Sequence, residues 1–311
     1  MAPMLSFYEA QAKNARMSRL LFALLFLVFL LFGAAIGRAY GNPAYGLALA
    51  LILYAILAAV AWFNGSSIVL SIHGATEADP ERDRRLINVV EEMRIAAGLP
   101  MPKVYRMESD GMNAFAAGRN PKEASVAVTS GLLERLSREE LQGVIAHELA
   151  HIKSRDTLYN ICAAVLVGSI ALLADMFLRG AMFGGRRRDG GGGGRGNIAF
   201  LLLGVVLAIL APIAAKILQM SISRQREYHA DAGAAEFTRN PLGLASALEK
   251  ISEVGSSVPG RNRGTQHLFL VNPVSRFTES STALLSTHPP TALRIQRLKA
   301  MAGTHFRGGP G

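Results

Sequence analysis

The sequence predicts a mainly α-helical protein with a small β-sheet, passed several times through a membrane and carrying one polar domain in two pieces. Three observations carry that prediction. Only 18% of the 311 residues are charged while 50% are apolar; the apolar residues gather in four long uncharged runs; and two polar stretches of similar length separate or follow these runs. A soluble domain of this size carries about 25% charged residues. Disordered chains are far less hydrophobic than this one.

The runs cover residues 20–37, 45–63, 157–174 and 197–215. At about 1.5 Å per helical residue each reaches roughly 27–29 Å, close to the ~30 Å hydrocarbon thickness of a bilayer. Glycine and alanine recur in all four, as close helix packing in lipid requires. The first run exceeds the ~7–15 apolar residues of a signal peptide, and a second follows after a short loop, so the pair reads as a membrane hairpin. Lys13, Arg16 and Arg19 precede it, whereas its loop carries only Arg38. That bias places the N-terminus, and the chain after residue 63, on the cytoplasmic side. The loop between the third and fourth runs breaks the pattern with Arg179, Arg186, Arg187, Arg188 and Arg195. Whether this second hairpin crosses fully is left open.

Composition also excludes several functions. The net charge of +10 invites nucleic acid, but many of the charges flank apolar runs and no recognition motif is present. A transporter would want ionisable residues inside its spans, and these four have none. Cys162 is the single cysteine, so there is no internal disulfide framework. Nothing in the sequence specifies an oligomer.

The polar stretches, 64–156 and 217–311, together hold about 190 residues, enough for one real core. Two apolar segments return the chain to the side it left, so the halves form one domain. The predicted organisation is a lead and transmembrane hairpin over 1–63, a first half-domain over 64–156, a transmembrane or re-entrant hairpin over 157–216, and a second half-domain over 217–311. The run Gly190–Gly194 serves as a flexible link. In the first half, residues 80–98 form an amphipathic helix, with Leu86, Val89, Val90, Met93, Ile95 and Ala96 opposite Glu81, Arg84, Glu91 and Glu92. Short strands follow at Lys103–Met107, Ala114–Ala117 and Ser125–Thr129, punctuated by Gly, Asn and Pro. Ser137 and Glu140 are a capping box that opens the next helix.

That helix carries His147-Glu-Leu-Ala-His151, an HExxH motif. Residues four apart share a helix face, so both imidazoles reach one ion. Glu148 stands next to the first of them, placed to take a proton from a water there. Zinc suits imidazole ligands, one ion per chain. From residue usage the motif arises by chance in such a chain on the order of once in a hundred.

A third protein ligand is needed. Ser154 and Thr157 stand where one extended form of the motif would have Gly and His, so that form fails. Asp156 is one candidate. The other is Glu227, which shares a helix face with Asp231 four residues on, while His229 points away. A hairpin that leaves at Asp156 and returns near Ile217 brings Glu227 back beside the HExxH helix, which favours it. Asp156 and Asp231 then suit the far imidazole nitrogens.

The order of these motifs, with Ser223-Arg-Gln-Arg-Glu227 and then Ser286-Thr-His-Pro-Pro290 and Arg294 around apolar hairpins, resembles the HtpX family. These are integral-membrane zinc metallopeptidases akin to the CAAX prenyl endopeptidases. The resemblance runs from Leu20 to about Leu298. It implies a gluzincin-like metallopeptidase domain with His147, His151 and Glu227 as zinc ligands and Glu148 as general base. It gives His288 the part of transition-state stabiliser and sets Arg294 near the ligand glutamate; by spacing alone, His288 reads equally well as a loop histidine. Asn113 and Ala114 would lie on an edge strand that pairs with an extended substrate, or on an ordinary core strand. The implied substrates are misfolded or damaged membrane proteins and unfolded polypeptides. A metal-binding membrane scaffold without turnover is the alternative, and the presence of Glu148 argues against it. The lead before Arg19 and the arginine-rich loop are not explained by the resemblance.

Overall fold

Helix α1 (Phe7–Ala39) runs unbroken from the polar lead into the first apolar run, because no Gly or Pro interrupts it before Gly33. The structure, a computed structural model, describes residues 6–39, 41–162, 224–254, 269–270 and 289–305. The fourth run, most of the third, the loop between them and His288 lie outside the described residues. Helix α2 (Pro43–Ile72) starts with proline at its first position, where no N–H is needed. Asn42 Oδ1 accepts the Ala44 N–H at 3.0 Å to cap it. The second apolar run is predicted to close at Phe63. The helix instead continues nine residues further, since no charged residue follows until Glu77 and Ile68, Val69 and Leu70 keep the segment apolar.

The chain divides into two compact units. The first described here is residues 16–64, the apolar parts of α1 and α2. Gly33 and Gly46 let the two backbones approach: a Cβ on Gly33 would lie 2.5 Å from the Gly46 carbonyl oxygen. Small residues serve this purpose where helices meet in lipid. Tyr54 Oη donates to the Phe22 carbonyl at 3.3 Å, and its ring packs edge-on against Phe26. Leu27, Leu31, Leu49, Ile52, Ile56 and Phe63 face outward. Both helices are long and apolar enough to cross a membrane, and only 17% of the apolar window of α2 is buried. That outward apolar face is what lipid, rather than a soluble core, would cover.

The other unit takes residues up to Ala15, Gly65–Ile161 and the described residues from Arg224 on. Its four-stranded sheet has the order β1-β2-β4-β3, from β1 (Ala75–Glu77), β2 (Lys103–Met107), β3 (Ala114–Ala117) and β4 (Ser125–Thr129). Strands β2 and β4 run parallel; β1 with β2 and β3 with β4 are antiparallel. The last three lie where the sequence predicts strands, while β1 and the short helix α4 (Ser130–Arg135) are not predicted by it. Helix α3 (Arg84–Ala97) starts four residues later than predicted and buries Ala97 while leaving Ile95 and Ala96 exposed; it ends where Gly98 adopts φ 67° and returns its N–H to the last turn. Helix α5 (Arg138–Lys153) carries the foreseen capping box: Glu140 Oε2 accepts the Ser137 N–H at 2.7 Å, and Ser137 Oγ accepts the Glu140 N–H.

Helix α5 is the centre of this unit. Val144, Ile145 and Leu149 are fully buried among α3, the sheet, α6 (Arg224–Thr238) and α7 (Pro241–Val254). Gly143 permits the α7 contact, since a Cβ there would lie 2.6 Å from the Leu244 nitrogen. Helix α8 (Thr291–His305) adds Leu298 to the same core. A helix held on every side keeps its side chains in fixed rotamers, which a catalytic constellation needs.

Candidate metal centre

His147 and Glu148 are buried, and His151 is largely so, on the last turns of α5. Helix α6 lies against α5 and brings Glu227 to the same point. Its Oε2 is 3.7 Å from His147 Nε2 and its Oε1 3.6 Å from His151 Nε2, while the two Nε2 atoms are 3.2 Å apart. These three side chains form a group able to hold one metal ion.

The opposite ring nitrogens are taken. Asp231 Oδ1 stands 3.0 Å from His147 Nδ1, and Asp156 Oδ2 stands 2.9 Å from His151 Nδ1. A carboxylate accepts, so each Nδ1 carries a proton and, in the neutral imidazole, each Nε2 presents a lone pair. Two imidazole nitrogens and the Glu227 carboxylate therefore face one point. Tetrahedral zinc with bonds of about 2.0–2.1 Å sets its ligand atoms about 3.3–3.4 Å apart. The imidazole nitrogens at 3.2 Å, and the contacts of 3.6 and 3.7 Å that each makes with a different Glu227 oxygen, fall within a few tenths of that, so this donor set fits the ion.

Arg294, on α8 and buried, completes the frame. Its Nε and Nη2 donate to the two Asp231 oxygens at 2.9 and 2.6 Å, and its Nη1 lies 3.3 Å from Glu227 Oε2. Glu227 and Asp231, one turn apart, are thus fixed by a single guanidinium, whose fork suits two-point contact with carboxylates. Burial alone would raise the Asp231 carboxyl, but the charge of Arg294 and the hydrogen bond from His147 outweigh it and hold it well below the usual range.

Without an ion, burial would lower the His151 imidazole. The hydrogen bond to Asp156 and the charges of Glu227, Asp156 and Glu148 overcome that and raise it to about 9. Burial lowers His147, with Arg294 and His151 adding to the effect. Glu148 is lifted by burial to about 7, although the charge of His151 and a hydrogen bond from the Ala116 backbone oppose the rise. Glu148, His151 and Glu227 line one small cavity with Ala116, Thr157, Asn160, Phe269 and Leu270. At about 10 Å³ it offers room for roughly one water. A larger cavity of about 600 Å³, lined by Phe7, Lys153, His229 and Glu236 among others, includes none of the three ligand candidates.

The remaining expected residues are placed as follows. Asn113 and Ala114 are fully buried. The Asn113 N–H donates to Thr129 Oγ1 and its Oδ1 accepts the Ala114 N–H, so its side chain is folded onto its own strand. Strand β3 is an edge in strand order, but Phe269 and Leu270 lie along it. Phe269 forms an antiparallel bridge with Phe115, and the Leu270 N–H donates to the Ala114 carbonyl at 3.0 Å. The Leu270 carbonyl in turn accepts from Arg294 Nη1 at 3.1 Å. This pairing joins residues more than 150 positions apart, and nothing in the sequence marks it.

The family model of peptidase family M48 matches residues 80–302, a span that holds every one of these site residues. A protease HtpX homologue from Caldanaerobacter subterraneus subsp. tengcongensis is 42% identical over 296 residues, covering 94% of this chain and 97% of its own length. Another, from Salinibacter ruber, is 44% identical over 282 residues, covering 90% and 96%. Among solved structures, the crystal structure of S. mikatae Ste24p aligns with a TM-score of 0.49 at 17% identity, over 94% of this chain and 67% of that one. With the family model spanning well over half of the sequence, and relatives above 40% identity spanning nearly all of it, the chain belongs to peptidase family M48.

Proposed function

We propose that this peptidase is a multi-pass zinc endopeptidase of a bacterial inner membrane, with a gluzincin-like domain and an active site facing the cytoplasm. One zinc ion per chain would be held by His147, His151 and Glu227. The observation that carries the reading is the convergence of one ligand atom from each to within 4.8 Å of the others, with the two Nε2 atoms 3.2 Å apart. When bound, zinc supplies Lewis acidity toward the scissile carbonyl and a water molecule.

The chain's own residues do the rest. Asp231 and Asp156 hold the imidazoles so that Nε2, not Nδ1, faces the ion. Arg294 keeps Glu227 and Asp231 in place. Glu148 receives a proton from the attacking water on its carboxylate and returns it to the leaving amine nitrogen. The buried setting of Glu148 keeps bulk water away from that transfer. His288 keeps the part the family resemblance gives it, stabilising the transition state. Substrate would pair as an extended strand near Asn113 and Ala114. At the Ala114 carbonyl this requires Leu270 to give way, since its N–H already occupies that acceptor.

The substrates that fit are misfolded or damaged membrane proteins and unfolded polypeptides, in keeping with a site on the unit that two apolar helices join. Metal analysis of purified protein, with a chelator-sensitive cleavage assay in detergent, tests the reading. Zinc at one equivalent and cleavage abolished by chelation and restored by zinc are expected. Bound zinc with no cleavage of any unfolded polypeptide would leave a metal-binding scaffold instead.

A further inference from the structure

The first two turns of α1 place Phe7, Ala10, Gln11 and Asn14 at the i, i+3, i+4, i+7 positions of one helix face. This part of the chain belongs to the unit that holds the metal centre. Phe7 stacks on Phe237, ring centroids 5.7 Å apart, and lies 4.8 Å from the His229 ring. Ala10 is buried, and Gln11 Nε2 donates to the Lys153 carbonyl at 2.7 Å.

Asn14 goes further. It is only 4% exposed, and its Nδ2 donates both to the Ser154 carbonyl at 2.8 Å and to Asp156 Oδ1 at 2.5 Å. A carbonyl and a carboxylate only accept, so the NH2 end of the amide must be the one that faces them. Between these two acceptors stands Arg155 with φ 57°. A residue with a side chain adopts that left-handed conformation when its surroundings hold it there. The kink at Arg155 ends α5 and sets where Asp156 stands, and Asp156 holds His151 through its other oxygen. Removing the Asn14 amide would leave a buried carboxylate oxygen without this donor and the kink without its tie.

We infer that Asn14 is a positioning residue of the metal centre: by bridging Ser154 and Asp156 across the Arg155 kink it fixes the carboxylate that orients His151, so the N-terminal turns of α1 complete the site. This rests on the reading of His147, His151 and Glu227 as ligands. It gives the polar lead, which the motifs leave unexplained, a part in building that centre.

The test uses the full chain in detergent, with Zn2+ affinity measured by competition against a chromogenic chelator. Asn14→Ala and the isosteric Asn14→Asp are expected to weaken binding about tenfold, the lower end of what loss of an outer partner costs a metal site. Gln11→Ala, on the same docked face but bonded only to the Lys153 carbonyl, should bind as the wild type does. The visible spectrum of the Co2+-loaded protein, which reports the ligand field, should shift in the Asn14 variants and not in Gln11→Ala. In an Asp156→Ala background, Asn14→Ala should add no further loss, because the two act in series. Wild-type affinity in both Asn14 variants, an equal loss in Gln11→Ala, or additive losses in the Asp156→Ala background would each overturn the inference. So would failure of both Asn14 variants to fold while Gln11→Ala folds, since Asn14 would then be a structural residue. Wild-type protein that takes up no zinc would instead overturn the ligand assignment itself.

Discussion

His147 and His151 turn their Nε2 atoms toward each other across 3.2 Å while a carboxylate holds each ring from behind. Two lone pairs at that distance repel unless a cation stands among them or one nitrogen takes a proton. The metal-free and metal-bound protein therefore differ by a proton as well as by an ion.

Metal uptake should show that exchange. In the metal-free protein His151 is raised to about 9, so at pH 7.5 it is protonated and must lose that proton to become a ligand. Zinc binding is expected to release about one proton at pH 7.5, and the apparent affinity should rise about tenfold per pH unit until it flattens near pH 9. Calorimetric titration in two buffers of different ionisation enthalpy measures the released protons. A heat that does not depend on the buffer would mean that His151 is already neutral without the metal.

Glu148→Gln keeps the volume of the side chain and removes its basicity. The expected outcome is unchanged zinc content with cleavage reduced by about 10²–10⁴-fold, the usual contribution of a positioned general base. Casein or an unfolded membrane protein serves as substrate. A purified variant that cuts at the wild-type rate would take the general-base role away from Glu148.

Glu227→Ala separates the two carboxylates that the sequence offered as third ligand. Zinc affinity should fall by at least about 100-fold, more than loss of an outer partner costs. Asp156→Ala should cost less, because Asp156 faces the far nitrogen of His151 rather than the point where the donors converge. Metal content unchanged in Glu227→Ala and lost in Asp156→Ala would reverse the two roles.

Much of this unit was legible because its signals are local. The capping box at Ser137 and Glu140 is written within four residues, and β2, β3 and β4 lie where the strand-like pieces were read. The HExxH pair needs only the helix period. Glu227 is legible only through connectivity, because a hairpin must return the chain to where it left. What could not be read was non-local or too short. Three residues at Ala75–Glu77 become a strand only because β2 offers them an edge. The second apolar run is predicted to close at Phe63, yet the apolar residues that follow keep α2 helical to Ile72. Asn14 looks like any polar residue in a basic helix, and its partners lie about 140 positions away. Leu270 meets β3 and Arg294 through backbone atoms, which carry no residue-specific signal at all.

Arg294 separates stability from metal binding. It is 1% exposed and holds both Asp231 oxygens, so Arg294→Leu strands a buried carboxylate. Breaking such a pair costs about 3–5 kcal/mol, which should appear as a lower unfolding midpoint of the metal-free protein in detergent. The pH dependence gives the sign. Arg294 holds Asp231 below its ordinary value of 3.8, so its contribution is fully present above that value and is lost as pH falls below it. Wild-type stability should therefore drop on acidification below about pH 4, and Arg294→Leu should drop less steeply from its lower starting point. Adding Asp231→Leu removes the stranded charge and should restore part of the lost stability, because an apolar pair can replace a buried ionic one. It should not bring wild-type zinc affinity, since His147 Nδ1 then lacks its carboxylate. Recovery of zinc affinity along with stability in the double variant would mean that Asp231 is a folding residue with no part in holding His147.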